Sequence, residues 1–275
     1  MAVELGTFGV WSRAPLWIKE GDAAAELEEL GYGALWLGGA PGDLDVVSTI
    51  LGTSGKIAVA TGIVNVWSEP AGQLSGAFRR VVRDHPGRFL LGIGAGHREF
   101  VGDEYAKPYE KLVRYLDDLD VPAEDVVLAA LGPRVLKLAA IRTAGAHPYL
   151  VTPEHTATAR EVLGTGKLLA PEQHVVLETD PAAARALARQ ALALYLGLPN
   201  YTNNWLRLGF TAEDLEHGGS DRLVDGLVAW GTPEQVAARL REHVAAGADH
   251  VAVQVVASDG GHHREAYREL AEVLF

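Results

Sequence analysis

Short, nearly unbroken apolar runs alternate along the chain with longer stretches whose apolar residues return every three or four positions. The first pattern is that of strands and the second that of amphipathic helices. The runs predict strands at Leu5–Trp11, Ala34–Leu37, Ile57–Val66, Arg88–Ile93, Val126–Leu131, His147–Val151, His174–Glu178 and His250–Val256. Several, such as Phe89-Leu90-Leu91-Gly92-Ile93, have no polar alternation, as expected of parallel strands covered on both faces. Helices are expected to open at Asp180-Pro181, Thr152-Pro153 and Thr232-Pro233, where a polar cap precedes a proline whose missing N–H costs nothing. Thr232 and Gln235 have the spacing of a capping box, and Gly31, Gly145, Gly164 and Gly247 stand where left-handed helix ends are expected.

Strand followed by helix, about eight times over, predicts an α/β protein with a (β/α)8 TIM barrel. A doubly wound open sheet is the competing arrangement. Against it, no G-x-G-x-x-G follows the first strand; the nearest stretch, Gly94-Ala95-Gly96-His97-Arg98-Glu99, lacks the third glycine. The stretch Gly197–Trp230 breaks the period and is expected to add helices between the seventh and eighth strands, at the barrel mouth. Nothing in the sequence marks a linker, so residues 1–275 are expected to form a single domain.

Composition narrows the functional classes. The 275 residues suit one barrel of ~250. Without cysteine there is no disulfide scaffold, thiolate metal site or thiol catalysis. A net charge of −12 argues against nucleic acid or an anionic membrane as partner. No apolar run approaches the ~20 residues of a membrane span and no signal peptide is evident, so a cytoplasmic protein acting on a small molecule is expected.

In a barrel, chemistry sits at the C-terminal ends of the strands. Those positions are rich in glycine and aromatics and poor in acid–base pairs, which suits a planar ring cofactor better than hydrolysis. Trp11, Asn65, Trp67, Tyr149 and Glu178 are the expected substrate-contacting residues. The ten histidines show no metal-ligand spacing, and no metal is expected. His85, His155, His217 and His243 lie in or beside helices and are expected at the surface, and His262-His263 reads as a solvated helix start. His147 reads as structural more readily than catalytic. His97, directly after the Gly-Ala-Gly turn, is either a proton donor or a loop-bonding residue. Gly132-Pro133-Arg134 opens a helix whose amides, with Arg134 and Lys137, form either an anion site or an ordinary turn.

Four segments carry a resemblance. They are Pro86–Gly96 at the fourth strand, Ala60-Thr61-Gly62-Ile63 at the third, Ala129-Ala130-Leu131-Gly132-Pro133 at the fifth, and Gly231–Val236 leading to Ala246–Val251. In this order the chain resembles the luciferase-like monooxygenase superfamily, in the branch that uses the deazaflavin coenzyme F420. The resemblance implies a cis peptide at Gly62–Ile63 beside the cofactor ring, Gly94, Ala95 and Gly96 behind it, and Leu131 and Gly132 near its side chain or phosphate, with Arg134. It implies an F420-dependent oxidoreductase passing hydride to or from a small organic substrate, with homodimerisation as a family trait. His97 stands where many members carry an acid, so the family's usual acid–base group does not carry over, and His97 is the expected catalytic residue from its place after the Gly-Ala-Gly turn. The Asp-His pair found after the second strand in many such dehydrogenases is replaced here by Leu37-Gly38-Gly39-Ala40. The alternatives are an FMN-dependent monooxygenase of the same superfamily and a flavin- or deazaflavin-binding protein without turnover.

Overall fold

The structure is a computed structural model that describes residues 3–18, 22–256 and 263–275. The strands are β1 (Phe8–Arg13), β2 (Ala34–Gly38), β3 (Ala58–Thr61), β4 (Val64–Asn65), β5 (Phe89–Gly94), β6 (Val126–Leu128), β7 (Gly145–Ala146), β8 (Leu168–Leu169), β9 (Glu172–Val176), β10 (Val228–Trp230) and β11 (Val251–Val255). The helices are α1 (Ala23–Glu29), α2 (Asp45–Gly52), α3 (Ala71–Asp84), α4 (Arg98–Val101), α5 (Pro108–Asp118), α6 (Pro133–Arg142), α7 (Pro153–Leu163), α8 (Pro181–Leu192), α9 (Pro199–Arg207), α10 (Asp221–Leu227), α11 (Pro233–Ala245) and α12 (Arg264–Leu274).

All pairings are parallel, in the order β10-β9-β11-β1-β2-β3-β5-β6-β7-β8, with β4 beside β5. The sheet curls, but its ladder is not an unbroken ring, which corrects the expectation of a closed eight-stranded barrel. The order ends in β10 and β8, and β8 and β9 are successive pieces of one extended segment interrupted at Ala170-Pro171, where proline has no amide to give to a ladder. Single backbone bonds from this segment still reach both neighbours: Glu172 N donates to Pro148 O (2.8 Å), and Pro171 O accepts from Ala252 N (2.9 Å).

The inside of the curl explains its shape. Trp11, Trp36, Ala60 and Leu90 stand in register on neighbouring strands, and most other interior positions are Ala or Gly. Two indoles thus fill space that the other strands leave empty; a Cβ on Gly38 would overlap the Trp11 ring. Below them, Trp36 Nε1 donates to His250 Nε2 (3.0 Å), whose Nδ1 donates to Gly6 O (2.8 Å). A larger apolar layer, including Val10, Leu35, Leu37, Val59, Leu91 and Leu128, packs between sheet and helices.

Helix starts follow the sequence closely. Thr152, Asp180 and Thr232 cap α7, α8 and α11, and the Thr232–Gln235 capping box is complete. The expected extra helices are α9 and α10, and their apolar faces close over Val176, Leu150 and Val228. Three expectations change. Gly145 is not a helix end but the first residue of β7. The run His147–Val151 follows its strand, because Leu150 takes a left-handed φ of 53°. Strand β10 lies inside the insertion, where no strand is expected from the sequence.

Candidate active site

The run Ile57–Val66 is split into β3 and β4 by a cis peptide between Gly62 and Ile63. Thr61 fixes the approach to this bond: its hydroxyl donates to Gly92 O and accepts from Gly92 N, both at 2.8 Å. Ile63 then lies against Gly94, whose missing Cβ would stand 3.2 Å from Ile63 Cγ1 and 3.0 Å from Ala129 Cβ. Beyond Gly94 the ladder stops. Among the described residues, no hydrogen-bond acceptor faces the amides of Ala95, Gly96 or His97. Gly96 is left-handed (φ 59°), and Asn65 Nδ2 lies 2.7 Å from where its Cβ would be. Asn65 Oδ1 is used locally, accepting from Trp67 N at 3.0 Å. A flat glycine surface edged by unpaired N–H donors fits a planar heterocycle with carbonyl oxygens on its rim.

Beside this wall, Trp11 lies against Gly62 and packs on Tyr149, with ring centroids 5.1 Å apart. Among the described residues, the buried Trp11 Nε1 and His147 Nε2 atoms have no hydrogen-bond partner. His147 is stacked on Trp36 at 4.1 Å and donates through Nδ1 to Ala170 O (2.6 Å); burial pushes its pKa down to about 4. Tyr149 donates to Gln254 Oε1 (3.0 Å) and therefore accepts from the Tyr195 hydroxyl (2.9 Å). Burial, followed by the neighbouring Tyr195 and Glu172, keeps Tyr149 protonated. Beneath these rings Glu172 and His174 face each other, with 2.6 Å between Oε1 and Nδ1.

His97 sits on the rim. Its Nδ1 donates to Asn200 Oδ1 of α9 (3.1 Å) and its ring lies 5.4 Å from Tyr201, so it ties the inserted helices to the glycine wall. Burial lowers its pKa, against the opposing effect of Asn200.

At the start of α6, Leu131 O accepts from His155 Nε2 (2.8 Å). The cation that reaches Gly132 is Arg207 of α9: its Nη2 would lie 3.7 Å from a Cβ at Gly132 and donates to Asn204 Oδ1 (3.3 Å). Asn204 is 2% exposed and its Nδ2 has no partner among the described residues. Arg134, by contrast, stacks on Tyr109 (3.7 Å) and faces Glu110 (3.6 Å), with its side chain 68% exposed.

The structure thus brings Trp11, Gly62, Ile63, Asn65, Gly94, Ala95, Gly96, His97 and Tyr149 to one end of the sheet. Trp67 is turned toward Tyr105 and Lys111, and Glu178 accepts from Asp180 N (2.9 Å) at the start of α8. His155 and His243 are buried, contrary to the surface expectation, because α7 and α11 turn these positions inward. His243 Nε2 donates to Gln173 Oε1 and its Nδ1 accepts from Thr156, both at 2.8 Å. His217 is exposed, His85 is half-buried, and His262 lies outside the described residues. Sequence reading missed Glu172 and His174, although their i, i+2 spacing on a strand puts both on one face. It also missed Asn204 and Arg207, which lie in the insertion and carry no motif.

Solved structures of the same shape are numerous. Coenzyme F420-dependent tetrahydromethanopterin reductase from Methanopyrus kandleri superposes with a TM-score of 0.74 over 97% of both chains, at 16% identity. The EDTA monooxygenase of Chelativorans sp. BNC1 gives 0.73 at 14% identity, over 98% of this chain and 93% of the other. An F420-dependent secondary alcohol dehydrogenase, solved with an F420-acetone adduct, gives 0.70 at 13% identity over 98% of both chains. These likenesses show a shared fold. No protein-family model matches the chain, and no curated protein matches its sequence. The insertion carrying α9 and α10 meets the strand-end mouth through Asn200 on His97 and Tyr201 on Tyr149. Among the described residues no helix is long and apolar enough to cross a membrane.

Proposed function

We propose that this chain is an oxidoreductase that binds the deazaflavin F420 at the strand-end mouth and exchanges hydride between it and a small organic substrate. The observation that carries the reading is the wall formed by Ile63 and Gly94–Gly96, where two glycines and three amides without a partner among the described residues stand together. When bound, the deazaflavin supplies the ring carbon that gives or takes the hydride. The protein does the rest. Ile63 supports the ring plane, and the amides of Ala95, Gly96 and His97 donate to its rim. Leu131 and Gly132, with Asn204 and Arg207, hold the anionic side chain. Trp11, Tyr149, Tyr195 and Tyr201 keep water from the reacting face. His97 is one group on the rim able to hold the accompanying proton.

The long acidic tail of a deazaflavin favours it over FMN here, because Arg207 reaches Gly132 at the start of α6, where such a tail would leave the mouth, and Arg134 and Lys137 are exposed in the first turns of that helix. At physiological salt the ~8 Å Debye length limits repulsion from the overall charge.

Fluorescence titration of the purified protein with F420 and with FMN tests this. We expect tighter binding of F420, with Arg207→Ala weakening it about 10-fold or more, as for loss of a charged hydrogen bond, and Arg134→Ala weakening it less. Tighter binding of FMN would move the reading to a flavin monooxygenase, and binding of neither would overturn it.

A further inference from the structure

One buried ionisable pair is left unused by the site as read so far. Glu172, 0% exposed, and His174, 1% exposed, stand on the same face of β9. Glu172 Oε2 accepts from Leu150 N (3.1 Å), and Oε1 faces His174 Nδ1 at 2.6 Å. A fully buried carboxylate is retained only where N–H donors replace its water, and here both oxygens have one. The bond to Leu150 has a plain structural use. Leu150 is left-handed, and its turn is gripped from both sides, by Glu172 Oε2 at the amide and by Trp205 Nε1 at the carbonyl (3.1 Å). That turn needs one carboxylate oxygen and no imidazole, so His174 is unexplained by it.

The orientation of the imidazole is fixed. The carboxylate holds the proton on Nδ1, which leaves Nε2 as the atom that can take or give a proton, and no hydrogen bond to Nε2 is present among the described residues. The groups packed around the ring are the edges of Tyr149 and Tyr195, at 5.5 and 6.4 Å, and Gln254, in register with His174 on β11. Arg13, at the end of β1, acts electrostatically on Tyr195. The tyrosine hydroxyls are held protonated by burial and, with Gln254, form their own chain of hydrogen bonds. Tyr149 also touches Trp11, which lies against Gly62, so the pair sits behind the aromatic side of the mouth.

We propose that His174, oriented by Glu172, is the acid–base group of the mouth, and that its substrate is a small neutral alcohol or the carbonyl compound formed from it. This deepens the function proposed above and rests on it. In the oxidative direction the alcohol O–H proton passes to His174 Nε2, the carbon–hydrogen pair leaves as hydride to the deazaflavin, and the C=O bond forms. The imidazolium so created is stabilised by the Glu172 carboxylate until its proton is released. The same carboxylate, with a chain of net charge −12, disfavours carboxylate and phosphate substrates. The aromatic lining favours a compact apolar body on the alcohol.

Two measurements test the assignment. In the first, 15N-labelled protein without cofactor is titrated with benzyl alcohol and cyclohexanol while the imidazole nitrogens are observed by NMR. We expect His174 to show a protonated Nδ1 and a bare Nε2, and the alcohols to shift its Nε2 resonance but not those of His243 or His250. In the second, oxidation of a panel of short and aromatic alcohols is followed by single-turnover reduction of F420. His174→Gln keeps an N–H for Glu172 but cannot cycle a proton. It should bind F420 within about threefold of wild type, react about 10²–10⁴-fold more slowly, and lose one limb of the pH–rate profile. An unmoved His174 resonance, no oxidation of any alcohol by the wild type, or a His174→Gln rate and pH profile like the wild type's would overturn the proposal. So would finding that His97→Gln, and not His174→Gln, removes the pH limb. Failure of F420 to bind would instead overturn the cofactor reading, and the cofactor-free NMR arm stays readable in that case.

Discussion

His147, His243 and His250 are held neutral inside the protein, burial pushing their pKa values down from 6.5 to about 4, 3 and 4. Each is deprotonated in the fold at neutral pH and takes up a proton on unfolding once the pH drops below about 6.5. The unfolded chain then binds more protons, so stability is full above that pH and is lost as the pH falls toward the folded values. The loss is about 1.4 kcal/mol per pH unit for each histidine. Urea unfolding followed from pH 7.5 to 5 should show this decline, and His243→Gln should reduce its slope by about one proton; a flat profile would contradict the burial. At Gly96, alanine would push on the Asn65 amide and strain a left-handed backbone by ~1–2 kcal/mol. Gly96→Ala should therefore weaken F420 binding about 10-fold with little change in secondary structure by circular dichroism. The glycines of this wall are legible in the sequence because only backbone need show there. The inward turn of His155 and His243 is not, since it depends on which side of α7 and α11 meets the sheet.

Two charged residues fasten the end of the sheet opposite the mouth. Glu28, at the end of α1, accepts from the amides of Gly55, Lys56 and Ile57 at 2.9, 2.6 and 2.9 Å. Burial works against its charge, but these three donors prevail and its pKa is lowered. Arg88, the residue before β5, meets them by donating to the carbonyls of Leu51, Ser54 and Ile57. Glu28→Gln should cost about 1.5–3 kcal/mol in chemical denaturation, the range for hydrogen bonds to a charged group; a change below about 0.5 kcal/mol, usual for a neutral surface site, would contradict it. Elements with their own signals, such as the capped helices α7, α8 and α11, are legible from local sequence. Elements made by their neighbours are not. Strand β7 is two residues long and begins with a glycine, β10 exists because it pairs with β9, and Leu150 keeps its left-handed turn through Glu172 and Trp205.

The curl of the whole sheet depends on an interior in which two indoles answer a ring of small residues. Trp36→Ala should cost about 3–5 kcal/mol, as for other large-to-small changes in a core, seen as a lower urea midpoint. The alternation of strand and helix predicts this architecture. The break at Ala170-Pro171 is not predicted, because a ladder's continuity is a property of pairing and not of either strand alone. The assembled molecule presents one end where the cis peptide, the unpaired amides, the aromatic side and the Arg207 corner meet, and the central claim is that a deazaflavin occupies it. A crystal structure of the protein soaked with F420 tests this most directly. The account predicts electron density for the ring against Ile63 and Gly94–Gly96, with its anionic tail running to Gly132 and Arg207. Density for F420 anywhere else on the protein, or a mouth that stays filled by Trp11 and Tyr149 at saturating F420, would contradict it.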